Sequence, residues 1–271
     1  MLRRPLRTLA ATAIALLAIS PAARAIDLQW FGQSAFKITT NSGAVILIDP
    51  FIAKNPVTPD EHKDLSKLGK VDLILVTHGH GDHVGDTVEI AKMTGAKVGM
   101  NADMGQTFAA LGWLPMEQLI RFNKSGPIAG ADGVTVTMVR AEHSSSIVEN
   151  KDDGSTLVHP GGEPSGYILE FESGFKLYHA GDTGVFGDMT MIGEYYRPDL
   201  ALLPIGGHFT MDPAHAAYAT KELLKVERVV PMHYGTFPPL KGTPEQFKSA
   251  LGDYPGEVIV MTPGETRSFK D

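Results

Sequence analysis

The chain contains no cysteine. That excludes disulfides, a cysteine nucleophile, a thiolate zinc site and an iron–sulfur cluster. A domain of this size buries enough core to fold without crosslinks. Any transition-metal site must rest on His, Asp and Glu. Basic residues are also scarce once the N-terminus is set aside. The 271 residues hold 24 Lys and Arg against 31 Asp and Glu, and four arginines (Arg3, Arg4, Arg7, Arg24) precede residue 26. Residues 26–271 therefore carry 20 against 31, a net charge of −11. An acidic domain repels phosphate backbones, so no nucleic-acid partner is expected. No phosphate-binding Gly-x-x-x-x-Gly-Lys motif occurs, and no Gly-x-Ser-x-Gly elbow.

The N-terminus has its own pattern. Three early arginines precede an apolar stretch from Leu9 to Ile19, then Pro21 and Ala23-Arg24-Ala25. That is the layout of a cleavable secretory signal, cut after Ala25. The stretch is shorter than the roughly 20 apolar residues of a membrane span. Residues 1–25 are thus expected to be a signal peptide and 26–271 one exported domain, periplasmic or secreted, with no stable membrane insertion after cleavage.

Short β-type runs alternate with helical ones through that domain. Ile26–Asp49 reads as three strands, Val71–Thr77 as a strand buried on both faces, and Val134–Arg140, Gly166–Phe171, Phe175–His179, Asp199–Ile205 and Arg228–Met232 as further strands. Helices are expected near Gly85–Met93 and Asp103–Leu111, and another opens at Asp212-Pro213 with an N-cap followed by proline. Ser144–Pro164 reads as a long polar loop. The pattern predicts an α/β protein with two packed sheets and helices outside.

The chemistry concentrates in Thr77-His78-Gly79-His80-Gly81-Asp82-His83. Four potential metal ligands fall within six residues after an apolar strand, where α/β loops present ligands. The two glycines are expected to give sharp turns, so that His78 and His80 face one ion while Asp82 and His83 face another. His143, Asp182 and His233 each follow a strand and fill out a two-metal set. Asp49 ends the strand Val45–Ile48, and His179 precedes the Asp182 turn; both are candidates to orient ligands from behind. His208, after Gly206-Gly207, is a candidate to contact substrate or protonate a leaving group. Ser144-Ser145-Ser146 are expected to serve in loop hydrogen bonding.

His78-x-His80-x-Asp82-His83 with His143, Asp182 and His233 resembles the signature of the metallo-β-lactamase superfamily. LVTHGHGDHVGD, YHAGDTG, LPIGG and VVPMHYGTF are similar to generic metal-dependent hydrolases near the ascorbate-phosphate lactonase and N-acyl-phosphatidylethanolamine phospholipase D branches. The resemblance implies a four-layer αββα sandwich. It implies one ion on His78, His80 and His143, a second on Asp82, His83 and His233, and Asp182 bridging the two. It departs from neighbouring branches in useful ways. Two of the three β-lactamase subclasses place cysteine at the second metal, and the third lacks the bridging aspartate. Flavodiiron proteins have an acidic residue where His80 stands.

The expected activity is hydrolysis of a small ester-like molecule, a phosphodiester, phosphoester or lactone, by a metal-bridged hydroxide. Two divalent ions are expected, Zn suiting the ligand set best, with Mn or Fe as alternatives. Asp82 and Asp182 are expected to act in catalysis as well as in ligation. A non-catalytic metal- or ligand-binding protein retaining the site is the competing reading.

Overall fold

The computed structural model describes residues 25–270. The expected leader lies outside these residues except for Ala25, whose backbone pairs with Lys270.

The central strands form where apolar and β-branched residues run together, as in Val45–Ile48 and Leu200–Pro204. β1 (Ala25–Gly32), β2 (Ala35–Thr39), β3 (Val45–Ile48), β4 (Leu73–Leu75), β5 (Lys97–Asn101) and β6 (Leu119–Phe122) form the first sheet. β7 (Ile128–Ala129) and β8 (Thr135–Arg140) begin the second, and β9 (Ser146–Asn150) and β10 (Thr156–Pro160) stand apart as a hairpin. β11 (Ser165–Glu170), β12 (Lys176–His179), β13 (Leu200–Pro204), β14 (Arg228–Met232) and β15 (Glu257–Val258) complete the second sheet. β16 (Thr266–Lys270) returns to the first, antiparallel to β1. The sheet orders are β16-β1-β2-β3-β4-β5-β6 and β15-β14-β13-β12-β11-β8-β7.

Side-chain alternation explains why the central strands read as continuous apolar runs. Leu73 and Leu75 of β4 face the layer between the sheets, where they join Ile46, Ile48, Met138, Leu177, Leu202 and Val230. Ile74 and Val76 face the other way and pack with Ile90, Ala91, Met104 and Phe108. Those residues come from the helices α1 (Thr87–Thr94) and α2 (Ala102–Ala110). The second sheet repeats the scheme. Leu200 and Leu202 point into the sandwich, while Ala201 and Leu203 meet Ala216, Ala217, Phe247 and Leu251 on the opposite face. These come from α3 (Pro213–Tyr218) and α4 (Pro244–Leu251). Asp212 caps α3 through a 2.8 Å bond from His215 N, and Thr243 and Gln246 form a reciprocal capping box on α4. The result is a four-layer αββα sandwich. Among the described residues, no helix is long and apolar enough to cross a membrane.

Two expectations need correction. Ser144–Pro164 is not a structureless loop, because β9 and β10 pair in register across it, with Val148 opposite Val158. The signal was present in Asp152-Asp153-Gly154, a turn closed by Lys151 N–H to Ser155 O at 2.9 Å. Gly79 and Gly81 are not there for positive φ, which neither adopts. A Cβ on Gly79 would lie 2.9 Å from the Ser146 carbonyl, so the small residue admits the hairpin's first strand against the His-rich turn.

Candidate metal centre

Every candidate ligand sits at the carboxyl end of a strand, and the two sheets bring these ends to one rim. β4 runs into Thr77–Asp82, and a single helical turn, Gly81–Val84, carries Asp82 and His83. β8, β12 and β14 deliver His143, Asp182 and His233. Tyr167 Oη bonds the Val76 carbonyl at 2.6 Å and Ser165 Oγ the Thr77 carbonyl at 3.0 Å, tying the second sheet to the end of β4.

All seven side chains converge. His78 Nε2 lies 2.9 Å from His80 Nδ1, and His143 Nε2 lies 3.3 Å from the same atom. On the other side, His83 Nε2 and His233 Nε2 each stand 3.7 Å from Asp82 Oδ2. Asp182 lies between the groups. Its Oδ2 is 2.9 Å from His233 Nε2, 3.3 Å from His83 Nε2 and 3.7 Å from His143 Nε2. The ligand atoms of His78/His80/His143, of His78/His83/Asp182 and of Asp82/His83/His233 all fall within 4.8 Å of one another in each group.

Metal ions fit this arrangement on a physical test. His83 Nε2, His233 Nε2 and Asp182 Oδ1 are buried without a hydrogen-bond partner. Buried polar atoms rarely stay unsatisfied, and three converging ones call for a cation. Charge points the same way. Burial pushes His78, His80 and His143 below the ordinary imidazole value, with the neighbouring His83 adding to the effect for His78 and His80, which leaves nitrogen lone pairs free. Burial acts against protonation of His83 too, but Asp182, Asp49 and Asp82 outweigh it and hold His83 well above its usual value. For His233 burial is likewise overcome by Asp182 and Asp82, and its value rises to about 9. Burial would raise Asp182, yet His233 and His83 keep it well below the carboxylate range. Protons on His83 and His233 thus stand where a second ion would sit.

Around the ligands lies a supporting layer. Asp49, fully buried with φ of 48°, accepts from His83 Nδ1 at 2.7 Å and from Thr77 N and Oγ1 at 2.8 and 2.7 Å. Because the Thr77 hydroxyl proton goes to Asp49, its oxygen accepts from His78 Nδ1 at 3.0 Å. Both imidazoles are thereby fixed with Nε2 turned towards the cluster. His179 is buried, accepts from Gly181 N at Nδ1 and donates from Nε2 to the Ser34 carbonyl, which fixes the turn carrying Asp182. His208 does not join the cluster. It is exposed, its ring stands edge-on to Phe209, and it lines a neighbouring recess with Lys241. Ser145 Oγ accepts from Gly79 N at 3.1 Å, a loop bond rather than a nucleophile's setting.

Sequence reasoning missed Gln33. Its Nε2 donates to Asp82 Oδ2 at 2.8 Å, and its carbonyl accepts from His233 N at 3.0 Å. A glutamine in a hairpin turn carries no ligand signal, and only the fold places it beside Asp82. Also missed was the apolar side of the site. A cavity of about 600 Å³ opens over the ligands, walled by Phe51, Phe209, Phe237 and Leu240.

The comparisons agree with this geometry. The sequence model of the beta-lactamase superfamily domain matches residues 45–234. The chain is 52% identical over 270 residues to a UPF0173 metal-dependent hydrolase of Polaromonas sp. (strain JS666), covering 99% of each. The structure of Igni18, a metallo hydrolase from Ignicoccus hospitalis, superposes with a TM-score of 0.77 at 41% identity, over 91% of this chain and 99% of that one. YhfI of Bacillus subtilis, a metallo-beta-lactamase fold protein, gives a TM-score of 0.67 at 15% identity, over 91% of this chain and 100% of that one, a likeness of fold alone. Helix-flanked paired sheets, ligands at one rim and relatives that match nearly end to end give one answer: the chain belongs to the metallo-β-lactamase superfamily, among its metal-dependent hydrolases.

Proposed function

We propose that the protein hydrolyses an ester bond of a small molecule at a dinuclear centre. His78, His80 and His143 would hold one divalent ion and Asp82, His83 and His233 the other, with Asp182 placed between the two groups. Zinc suits a ligand set of imidazole and carboxylate. One observation carries the reading: Asp182 Oδ2 is within 3.7 Å of imidazole nitrogens from both groups, so one carboxylate would be within reach of an ion held by either. Two such ions supply hydroxide from water near neutral pH and polarise the oxygen under attack.

The chain's own residues do the rest. Asp49 and Thr77 keep His83 and His78 in the tautomers that present Nε2. Asp82, half-buried at the cavity wall, is placed to take a proton from the attacking water and pass it on. Asp182 offsets cationic charge and is held by the Gly181 turn. His208, outside the cavity, is a residue of the rim in this reading.

The test is elemental analysis of the purified domain, with assays on bis-p-nitrophenyl phosphate and a lactone panel. His80→Ala and Asp182→Ala serve as controls. Turnover lost in both variants supports the proposal. Two bound ions with no turnover on any ester would favour a binding protein, and full activity in both variants would sink the mechanism. The arginine-then-apolar leader supports action outside the cytoplasm; cell fractionation, with N-terminal sequencing expected to begin at Ile26, tests that.

A further inference from the structure

Opposite the ligand side chains, Gln33 and Ser144, the metal cavity is walled by apolar side chains. Phe51 and Phe237 stand with ring centroids 6.4 Å apart, and Leu240 is buried behind them. Phe209 is 58% exposed and Phe237 36%, although both line a cavity that the fold could have filled with polar residues. Among the described residues, no lysine or arginine lines this cavity. Cations stand close by but are turned elsewhere. Lys124 and Arg140 line an adjoining cleft, paired with Glu163 at 2.6 Å and Glu142 at 2.7 Å. Lys241 follows Leu240 but lines the recess of His208.

A phosphate monoester brings two negative charges, which sites built for it meet with fixed cations beyond the metals. Exposed aromatic rings beside a reaction centre instead offer dispersion and water exclusion to an apolar group. Resting on the ester-hydrolase reading above, we propose that the substrate is an uncharged carboxyl ester or lactone with an apolar arm seated against Phe51, Phe209 and Phe237. Water's oxygen bonds the acyl carbon, the acyl carbon–oxygen bond breaks and the leaving oxygen takes up a proton, giving an acid and an alcohol from an ester or one hydroxy acid from a lactone.

Zinc-chelating hydroxamates test the arm without needing turnover. Acetohydroxamate and 3-phenylpropanohydroxamate share one chelating head and differ only in the arm. Calorimetry on the zinc-loaded protein is expected to give at least ~10-fold tighter binding for the phenyl compound, from the apolar area it covers. In the Phe209→Ala/Phe237→Ala double variant that ratio is expected to fall to ~3-fold or less. In parallel, p-nitrophenyl 3-phenylpropanoate is expected to be a better substrate than p-nitrophenyl phosphate. Equal binding of the two hydroxamates, or an unchanged ratio in the double variant, overturns the arm pocket even if esters are cleaved. Preference for the arm with no ester cleaved retains the pocket and removes the hydrolase reading. Faster turnover of p-nitrophenyl phosphate overturns the substrate class.

Discussion

Asp49 Oδ2 lies 2.7 Å from His83 Nδ1 and 2.7 Å from Thr77 Oγ1, and through Thr77 it also fixes His78. One buried carboxylate therefore orients one imidazole of each ligand group. Asp49→Ala is expected to weaken metal binding by about 10- to 100-fold, the usual effect of removing such a partner. Thr77→Val removes only the relay to His78 and the hydroxyl bond to Asp49, so the His78 group should suffer more than the Asp82 group. Chelator competition on both variants reads this out. Unaltered affinity in Asp49→Ala would refute the orienting role.

Gln33 connects two ligands that are remote in sequence, Asp82 through its side chain and His233 through its carbonyl. Asp82 is an acceptor, so the amide nitrogen must face it. Gln33→Met keeps length and apolar volume but removes the donor. The second ion is expected to bind ~10-fold more weakly while the first is retained, in line with the loss of a charge-assisted bond. In an Asp82→Ala background the same substitution should add little, because both changes act through one contact. Additive losses would mean that Gln33 matters only to the local fold.

The metal-free protein should show its own pH dependence. His233 is raised from 6.5 to about 9, and His83 is also raised. Their contribution to stability is complete below the unfolded value and disappears as pH rises through the folded one. Asp182 is depressed below 3.8, so its contribution is complete above that value and is lost as pH falls through the folded one. His78, His80 and His143 are lowered and so cost stability as pH falls below 6.5. The chelator-treated protein is therefore expected to melt highest near pH 6.5 and to lose stability from pH 6.5 to 9. Ions replace the His83 and His233 protons, so the loaded protein should not follow this decline. Melting curves with and without chelator across that interval check it; parallel curves would contradict the assignment.

Gly181 has φ of 62°, and a Cβ there would lie 2.5 Å from the Ser165 carbonyl and 3.0 Å from Thr77 Cβ. Gly181→Ala is expected to destabilise the fold by about 1–3 kcal/mol through backbone strain and the clash. It should also displace Asp182 and lower metal stoichiometry. A fully stable variant with two ions would show that the turn can shift freely.

The layered architecture was legible because apolar runs such as Val71–Val76 leave little choice but a strand covered on both faces. The ligand positions were legible for a related reason: four potential ligands after such a strand make no sense as packing. Other features lay beyond the sequence. Gln33 and Thr77 gain their roles only from neighbours far along the chain. His208 follows a strand and two glycines, as a ligand would, yet the fold sets it on the outer recess with Lys241. The aromatic wall draws on Phe51, Phe209 and Phe237, three residues that share no periodicity.

His78, His80, Asp82 and His83 hang from the first sheet, whereas His143, Asp182 and His233 hang from the second. Cations held by both sets would rivet the halves of the sandwich at one rim, beside hydrogen bonds from Tyr167 and Ser165 to the end of β4 and from His179 and His233 to the Gln33–Ser34 turn. Stripping the ions should loosen that rim first, while the packed layer between the sheets holds the two halves together.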